Sequence, residues 1–169
     1  MNDALEPSVS VGLYTPQERA RRDATIWTPV QGFLAAFQFI VFAVSVCLIA
    51  RYMVTGEGET AAVWSVVFKT MVLYAIMVTG SIWEKVVFDK WLFAPAFFWE
   101  DVFSFLVLGL HTAYLWSLYT GSMGTREQLW LALAAYAAYA INAGQFLRKL
   151  RAARAQERAT LAMHQELAA

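Results

Sequence analysis

Four long apolar runs constrain this chain more than any other feature. Ala24 to Ala50 contains no charged residue, Thr60 to Trp83 is interrupted only by Lys69, and Val102 to Thr125 carries His111 as its sole titratable group apart from tyrosines. Gln128 to Leu147 is the fourth run. Each is long enough to cross a bilayer as a helix, which takes roughly 20 residues. With 59% hydrophobic and 15% charged residues, the chain is too apolar for an ordinary soluble domain. The expected fold is therefore all-α: an integral membrane four-helix bundle with spans at about 28–52, 60–83, 98–120 and 126–147. A polar segment, 1–23, with a short helix precedes it, and a basic tail helix, 148–169, follows. Residues 1–23 carry Arg19, Arg21 and Arg22 and lack a cleavable-signal pattern, so the first span reads as a retained anchor.

Basic residues set the expected orientation. Ten of them (Arg19, Arg21, Arg22, Lys85, Lys90, Arg148, Lys149, Arg151, Arg154 and Arg158) fall on one side, and only Arg51 and Arg126 on the other. Both termini and the 84–98 connection are thus expected in the cytoplasm, with the chain a multi-pass protein of the bacterial cytoplasmic or intracytoplasmic membrane. Thr15-Pro16-Gln17-Glu18, Thr28-Pro29-Val30-Gln31 and Thr125-Arg126-Glu127-Gln128 each have the form of a capping box at a helix start. Gly56, Gly58, Gly121 and Gly124 mark two short turns. The formal charge of zero gives no reason to expect a nucleic-acid partner. The single cysteine, Cys47, excludes an intramolecular disulfide and a multi-cysteine metal site.

Polar groups inside spans are costly and need an explanation. At helical spacing Glu100, Ser104, Val107, His111, Tyr114 and Leu118 form one stripe, while Asp101 points about a quarter-turn away. Lys69, Leu73, Ile76, Gly80 and Glu84 share a face, with Gly80 permitting close helix approach. Lys69 and His111 both fall roughly 20 Å from the cytoplasmic boundary. Gln31, Gln38 and Ser45 are heptad-spaced on the first span, and Tyr139, Asn142 and Gln145 line the fourth. Bland alternatives stand beside functional ones. Lys69 reads as a snorkelling or ion-paired residue or as part of a site, and Gln38 and Asn142 read first as interhelical hydrogen-bond glue. Asp101 reads as a helix-start residue or a catalytic one. His111 reads as a satisfied buried imidazole, a metal ligand or a proton carrier. Glu84 and Glu100 read as headgroup contacts beside belt tryptophans or as proton-handling groups. His164 in the tail reads as solvated.

Between Lys90 and Glu100 runs Trp91-Leu92-Phe93-Ala94-Pro95-Ala96-Phe97-Phe98-Trp99, too short to span and broken by proline. It is expected to be a short interfacial loop or helix between spans two and three. Its aromatics, with Trp83, could wall a flat apolar slot. Lys85 and Lys90 at the rim could meet a ligand carboxylate or lipid headgroups.

SIWEKVVFDKWLFAPAFFWEDVFS, LHTAYLWSL and AINAGQFLRKLR, with the upstream TPQERARRDATIWTPVQG, closely resemble the 3-vinyl bacteriochlorophyllide hydratases of photosynthetic bacteria, across roughly residues 14–154. The resemblance implies a hydro-lyase that adds water across the C3 vinyl group of the magnesium chlorin chlorophyllide a. The product is the 3-(1-hydroxyethyl) compound of bacteriochlorophyll biosynthesis. It implies no redox cofactor and no metal of the protein's own, the magnesium belonging to the substrate. Expected partners are the chlorin, the bilayer and neighbouring pathway enzymes. Glu100 is expected as the acid, with Asp101 or Glu84 acting on water. His111 is expected as axial magnesium ligand or second proton carrier, and Lys69, Lys85, Trp83, Trp99, Phe97 and Asn142 as substrate contacts. The alternative is a non-catalytic chlorin carrier or assembly protein with the same slot and no acid. A quinone-binding or small transport protein, with Lys69 and His111 on a proton path, is a further alternative.

Overall fold

The computed structural model describes residues 13–167, apart from the side chains at 156, 157, 160, 161 and 164–167. The expectations for residues 1–12 and for the His164 side chain fall outside that description. The described chain is all-helical: α1 (Pro16–Ala24), α2 (Trp27–Thr55), α3 (Glu59–Phe88), α4 (Phe98–Thr120) and α5 (Thr125–Leu167). α2 packs mainly on α3 and α4 mainly on α5, making two antiparallel hairpins. Gly56 ends α2 at φ 75° and Gly121 ends α4 at φ 61°, a left-handed conformation that glycine adopts without a Cβ penalty.

Three helices, α2, α3 and α4, are long and apolar enough to cross a membrane. The fourth expected span is the first part of α5 and is not among them. Gln128, Asn142 and Gln145 lower its apolarity below that of the other three. The tail helix expected as a separate element is continuous with this segment, since neither glycine nor proline occurs from Gln145 to Leu167.

Burial runs opposite to that of a water-soluble protein. Phe33, Val54, Trp64, Trp116 and Trp130 are exposed, whereas Gln38, Ser45, Lys69, Thr70, His111 and Asn142 are buried. Such an arrangement suits hydrocarbon as solvent, because polar side chains find partners only inside. Ser45 on α2 holds Ser65 Oγ on α3 at 2.7 Å and the Tyr136 hydroxyl on α5 at 2.6 Å. Around that junction Ile49, Ala62, Val66, Tyr114, Leu129 and Ala132 form a closed core at the end bearing the two glycine turns. Across those turns Thr125 Oγ1 donates to Glu59 Oε1 at 2.7 Å.

At the opposite end, Thr15 caps α1 with both hydrogen bonds of the expected capping box. The other two boxes do not form. α2 starts one residue before Thr28, whose hydroxyl instead donates to Arg22 O and accepts from Trp83 Nε1 at 2.9 Å. Gln31 donates to Thr79 Oγ1 at 2.6 Å, and Thr125 goes to Glu59. Interhelical partners compete successfully for these hydroxyls and amides. Tyr14, Phe88, Phe97, Trp83 and Phe146 form an aromatic cluster here, with Tyr14 stacked on Phe88 at 5.8 Å. Burial raises the pKa of the Tyr14 phenol, and Arg22 lies 4.7 Å over its ring.

Candidate functional site

Below the aromatic cluster lies a cavity of about 1550 Å³. Ligand pockets for drug-sized molecules usually measure roughly 300–1,000 Å³, so a large, largely apolar guest fits. All five helices contribute to its wall. Gly80 belongs to that wall, and a Cβ there would meet only Gln31 Oε1, at 3.7 Å. The missing side chain thus widens the cavity; it is not needed for close helix packing.

Two carboxyls, Glu84 of α3 and Asp101 of α4, border the cavity. They are 6% and 5% exposed, and consecutive loop amides hold them side by side. The loop joining their helices holds them. Asp89 closes α3 at φ 60° and pairs with Lys85 at 2.6 Å, which keeps the Asp89 carboxyl below the usual carboxylate range. The chain then passes through Phe93 at φ 58°, and its own amide and that of Ala94 converge on the acids. Phe93 N donates to Asp101 Oδ2 at 2.7 Å, and Ala94 N donates to Glu84 Oε2 at 3.2 Å. Successive N–H groups aimed at anionic oxygens are the backbone arrangement known as a nest. A left-handed non-glycine residue costs about 1–3 kcal/mol, and such strain concentrates at functional sites. Asp101 therefore fastens the loop; it does not cap α4, whose N-cap residue Phe97 makes no side-chain cap bond.

The buried stripe on α4 is present as expected, with Glu100, Ser104, Val107, His111 and Tyr114 on the inward face. Only Ser104 and Val107 of these reach the cavity. Glu100 is turned to α5, where Lys149 Nζ holds its Oε2 at 2.6 Å. His111, expected as magnesium ligand or second proton carrier, lies off the cavity wall. It is fully buried, its Nδ1 bonds Val107 O at 2.7 Å, and its Nε2 meets Lys69 Nζ at 2.8 Å. An Nδ1–H donated to the carbonyl leaves Nε2 as acceptor for the lysine, so neither nitrogen is free. Lys69, also fully buried, lies 4.1 Å from the Tyr139 ring centroid and off the cavity wall. Lys85 is occupied with Asp89, and Trp99 is 68% exposed, both away from the cavity.

Trp83, Phe97 and Asn142, by contrast, line it. Asn142 Nδ2 donates to Ser104 Oγ at 2.8 Å, while its Oδ1 has no hydrogen-bond partner. Gln38, read in the sequence as helix glue, also borders the cavity with its Oε1 unpartnered. Gln31 and Tyr139, on the polar faces read from the first and fourth spans, also line it, whereas Tyr14 is a lining residue that sequence reasoning missed. The capping box beside Tyr14 was the available signal.

Comparison with known proteins gives this geometry a context. The profile of the family described as 2-vinyl bacteriochlorophyllide hydratase matches residues 14–152. A curated protein of that name from Rhodobacter capsulatus is 65% identical over 144 residues, covering 85% of this chain and 84% of its own. Another, from Cereibacter sphaeroides, is 66% identical over 142 residues, covering 84% and 88%. No solved structure matches the chain. The matched region includes both carboxyls, the nest and the cavity walls from α1 to the middle of α5, and the chain belongs to the 2-vinyl bacteriochlorophyllide hydratase family.

Proposed function

We propose that this hydratase adds water across the ring-A vinyl group of a magnesium chlorin free acid, chlorophyllide a or its 3-vinyl bacteriochlorin counterpart. That group is the C3 vinyl in the numbering used here. The observation carrying the reading is the pair of buried carboxyls, Glu84 and Asp101, held by consecutive loop amides at the edge of a large apolar cavity. Hydration needs a proton on the terminal vinyl carbon, then water oxygen on the adjacent carbon, then loss of one proton from that oxygen. The intervening cation is conjugated with the macrocycle, so the substrate itself disperses its charge. Two carboxyls side by side hold one proton between them, since joint ionisation in a desolvated site is strongly opposed.

Asp101, with the shorter amide bond from Phe93, is the better-supported anion and takes the proton from water. Glu84 gives its proton to the vinyl carbon. The pair ends the cycle with one proton, as it began, and the atoms balance as substrate plus water. General acid–base steps of this kind contribute about 10²–10⁴ in rate. Asn142 orients the water, a role supported by its bond to Ser104, one helical turn from Asp101. Trp83 and Phe97 supply apolar walls for the ring.

The membrane reading extends this. The end bearing the termini and the 89–97 loop faces the cytoplasm of the inner or intracytoplasmic membrane. The ten-to-two distribution of basic residues supports that orientation. In the fuller reading the first part of α5 is the fourth span and completes a four-helix bundle. Arg19, Arg22 and Arg154 at the cavity then meet the substrate carboxylate near the surface. Neighbouring pathway enzymes are the expected source and recipient of a poorly soluble pigment.

Membranes containing the protein are supplied with chlorophyllide a, and the product is weighed. Addition of one water is expected, with oxygen from labelled water in the hydroxyl and solvent deuterium in the new methyl group. A bound pigment of unchanged mass would identify a carrier.

A further inference from the structure

Resting on the magnesium-chlorin reading above, we propose that Gln38 supplies the axial oxygen ligand to the substrate's magnesium. A metallated chlorin offers the protein no ring N–H, and its peripheral oxygens are acceptors. The metal is its one strong acceptor of an electron pair, and magnesium prefers oxygen donors. The cavity wall holds matching groups. Gln38 is 1% exposed and Asn142 7% exposed, both border the cavity, and Gln38 Oε1 and Asn142 Oδ1 have no hydrogen-bond partner. A buried amide oxygen left without a donor needs an explanation, and a Lewis-acidic guest supplies one.

Placement separates the two amides. Asn142 is tied to Ser104, one turn of α4 from Asp101, beside the place the attacking water must occupy. Gln38 is two turns of α2 beyond Gln31, and Gln31 is paired with Thr79 of α3. That register sets Gln38 near Leu73, about 16 Å along α3 from Glu84. Gln38 and Glu84 both border the cavity, Glu84 at its loop end and Gln38 deeper along the helices. A macrocycle between them can set its centre on the amide and its vinyl edge at the carboxyl pair. His111 cannot serve, because Lys69 and Val107 occupy its nitrogens.

The test compares binding of chlorophyllide a with that of its magnesium-free counterpart, pheophorbide a, to the purified full chain in detergent. Quenching of tryptophan fluorescence gives both affinities. The wild-type protein is expected to favour the magnesium pigment at least tenfold. Gln38→Leu should erase that preference while leaving pheophorbide affinity within about twofold, and Gln38→His should restore it through an imidazole lone pair. A Gln38→Leu protein that keeps the preference, or loses affinity for both pigments in parallel, overturns the assignment. So does loss of preference in Asn142→Leu alone, or a wild-type protein with no preference. Hydration without magnesium preference defeats this inference only, and magnesium preference without hydration defeats the proposed reaction only.

Discussion

Two buried polar clusters lie within the same helices, and they differ in what they leave unsatisfied. Lys69 and His111 saturate each other, with Val107 O and the Tyr139 face completing the shell. Glu84 and Asp101 each spend one oxygen on a loop amide and face the cavity. Both clusters are buried, so burial of an ionisable group does not by itself mark chemistry. Residual hydrogen-bonding capacity beside a space large enough for a guest is the better criterion. The first cluster therefore fastens α3 to α4, and the second is the one to which the proposed reaction assigns proton transfer.

The sharpest way to break that division is to neutralise the cavity acids. Asp101→Asn and Glu84→Gln should each lower single-turnover hydration by about 10²–10⁴ while pigment still binds. Near-normal turnover in both would return the proton chemistry to another group. Next in size is a loss of stability from the saturated cluster. Lys69→Met or His111→Leu alone should cost about 1–3 kcal/mol by leaving a buried partner unpaired. The double variant should recover most of that loss. Thermal unfolding in detergent measures it, and a Lys69→Met protein that folds normally but cannot hydrate would refute the structural role.

The loop gives a smaller, conformational effect. Phe93→Gly keeps the left-handed backbone and the amide donor, so turnover should stay within a few-fold. Phe93→Val should fall by about tenfold, because a β-branched residue resists φ 58°. Equal activities would show that the nest does not depend on that conformation. Smallest is the effect of Glu100→Gln. Its pair with Lys149 is partly open to solvent, so the stability change should be at most about 1 kcal/mol and turnover should change less than threefold. Abolished turnover here, with Asp101→Asn active, would make Glu100 the acid.

Much of this molecule was legible before its fold. The inward stripe through Glu100, Ser104, Val107, His111 and Tyr114 follows from 3.6-residue periodicity, and all five are buried. The common depth expected for Lys69 and His111 is realised as a 2.8 Å contact. The Thr15 capping box is local and forms as written. The box at Thr28 fails because its hydroxyl is claimed by Arg22 O and Trp83 Nε1. Sequence spacing contains neither competitor's position. The same limit explains Glu100: the stripe placed it inward, but only the packing of α5 turned it to Lys149 instead of the cavity.

Sequence alone determined the helices, the membrane as their solvent, the family, and the set of polar side chains that had to be hidden from lipid. These follow from chain-local periodicity and transfer energetics, which need no knowledge of neighbours. Tertiary structure alone decided which acids meet, because Glu84 and Asp101 sit on different helices joined by a loop whose left-handed turn aims two amides at them. It also decided that His111 is saturated and that Gln38 and Asn142 are not. Partnership between helices depends on register and rotation, and one turn of either reassigns every polar contact.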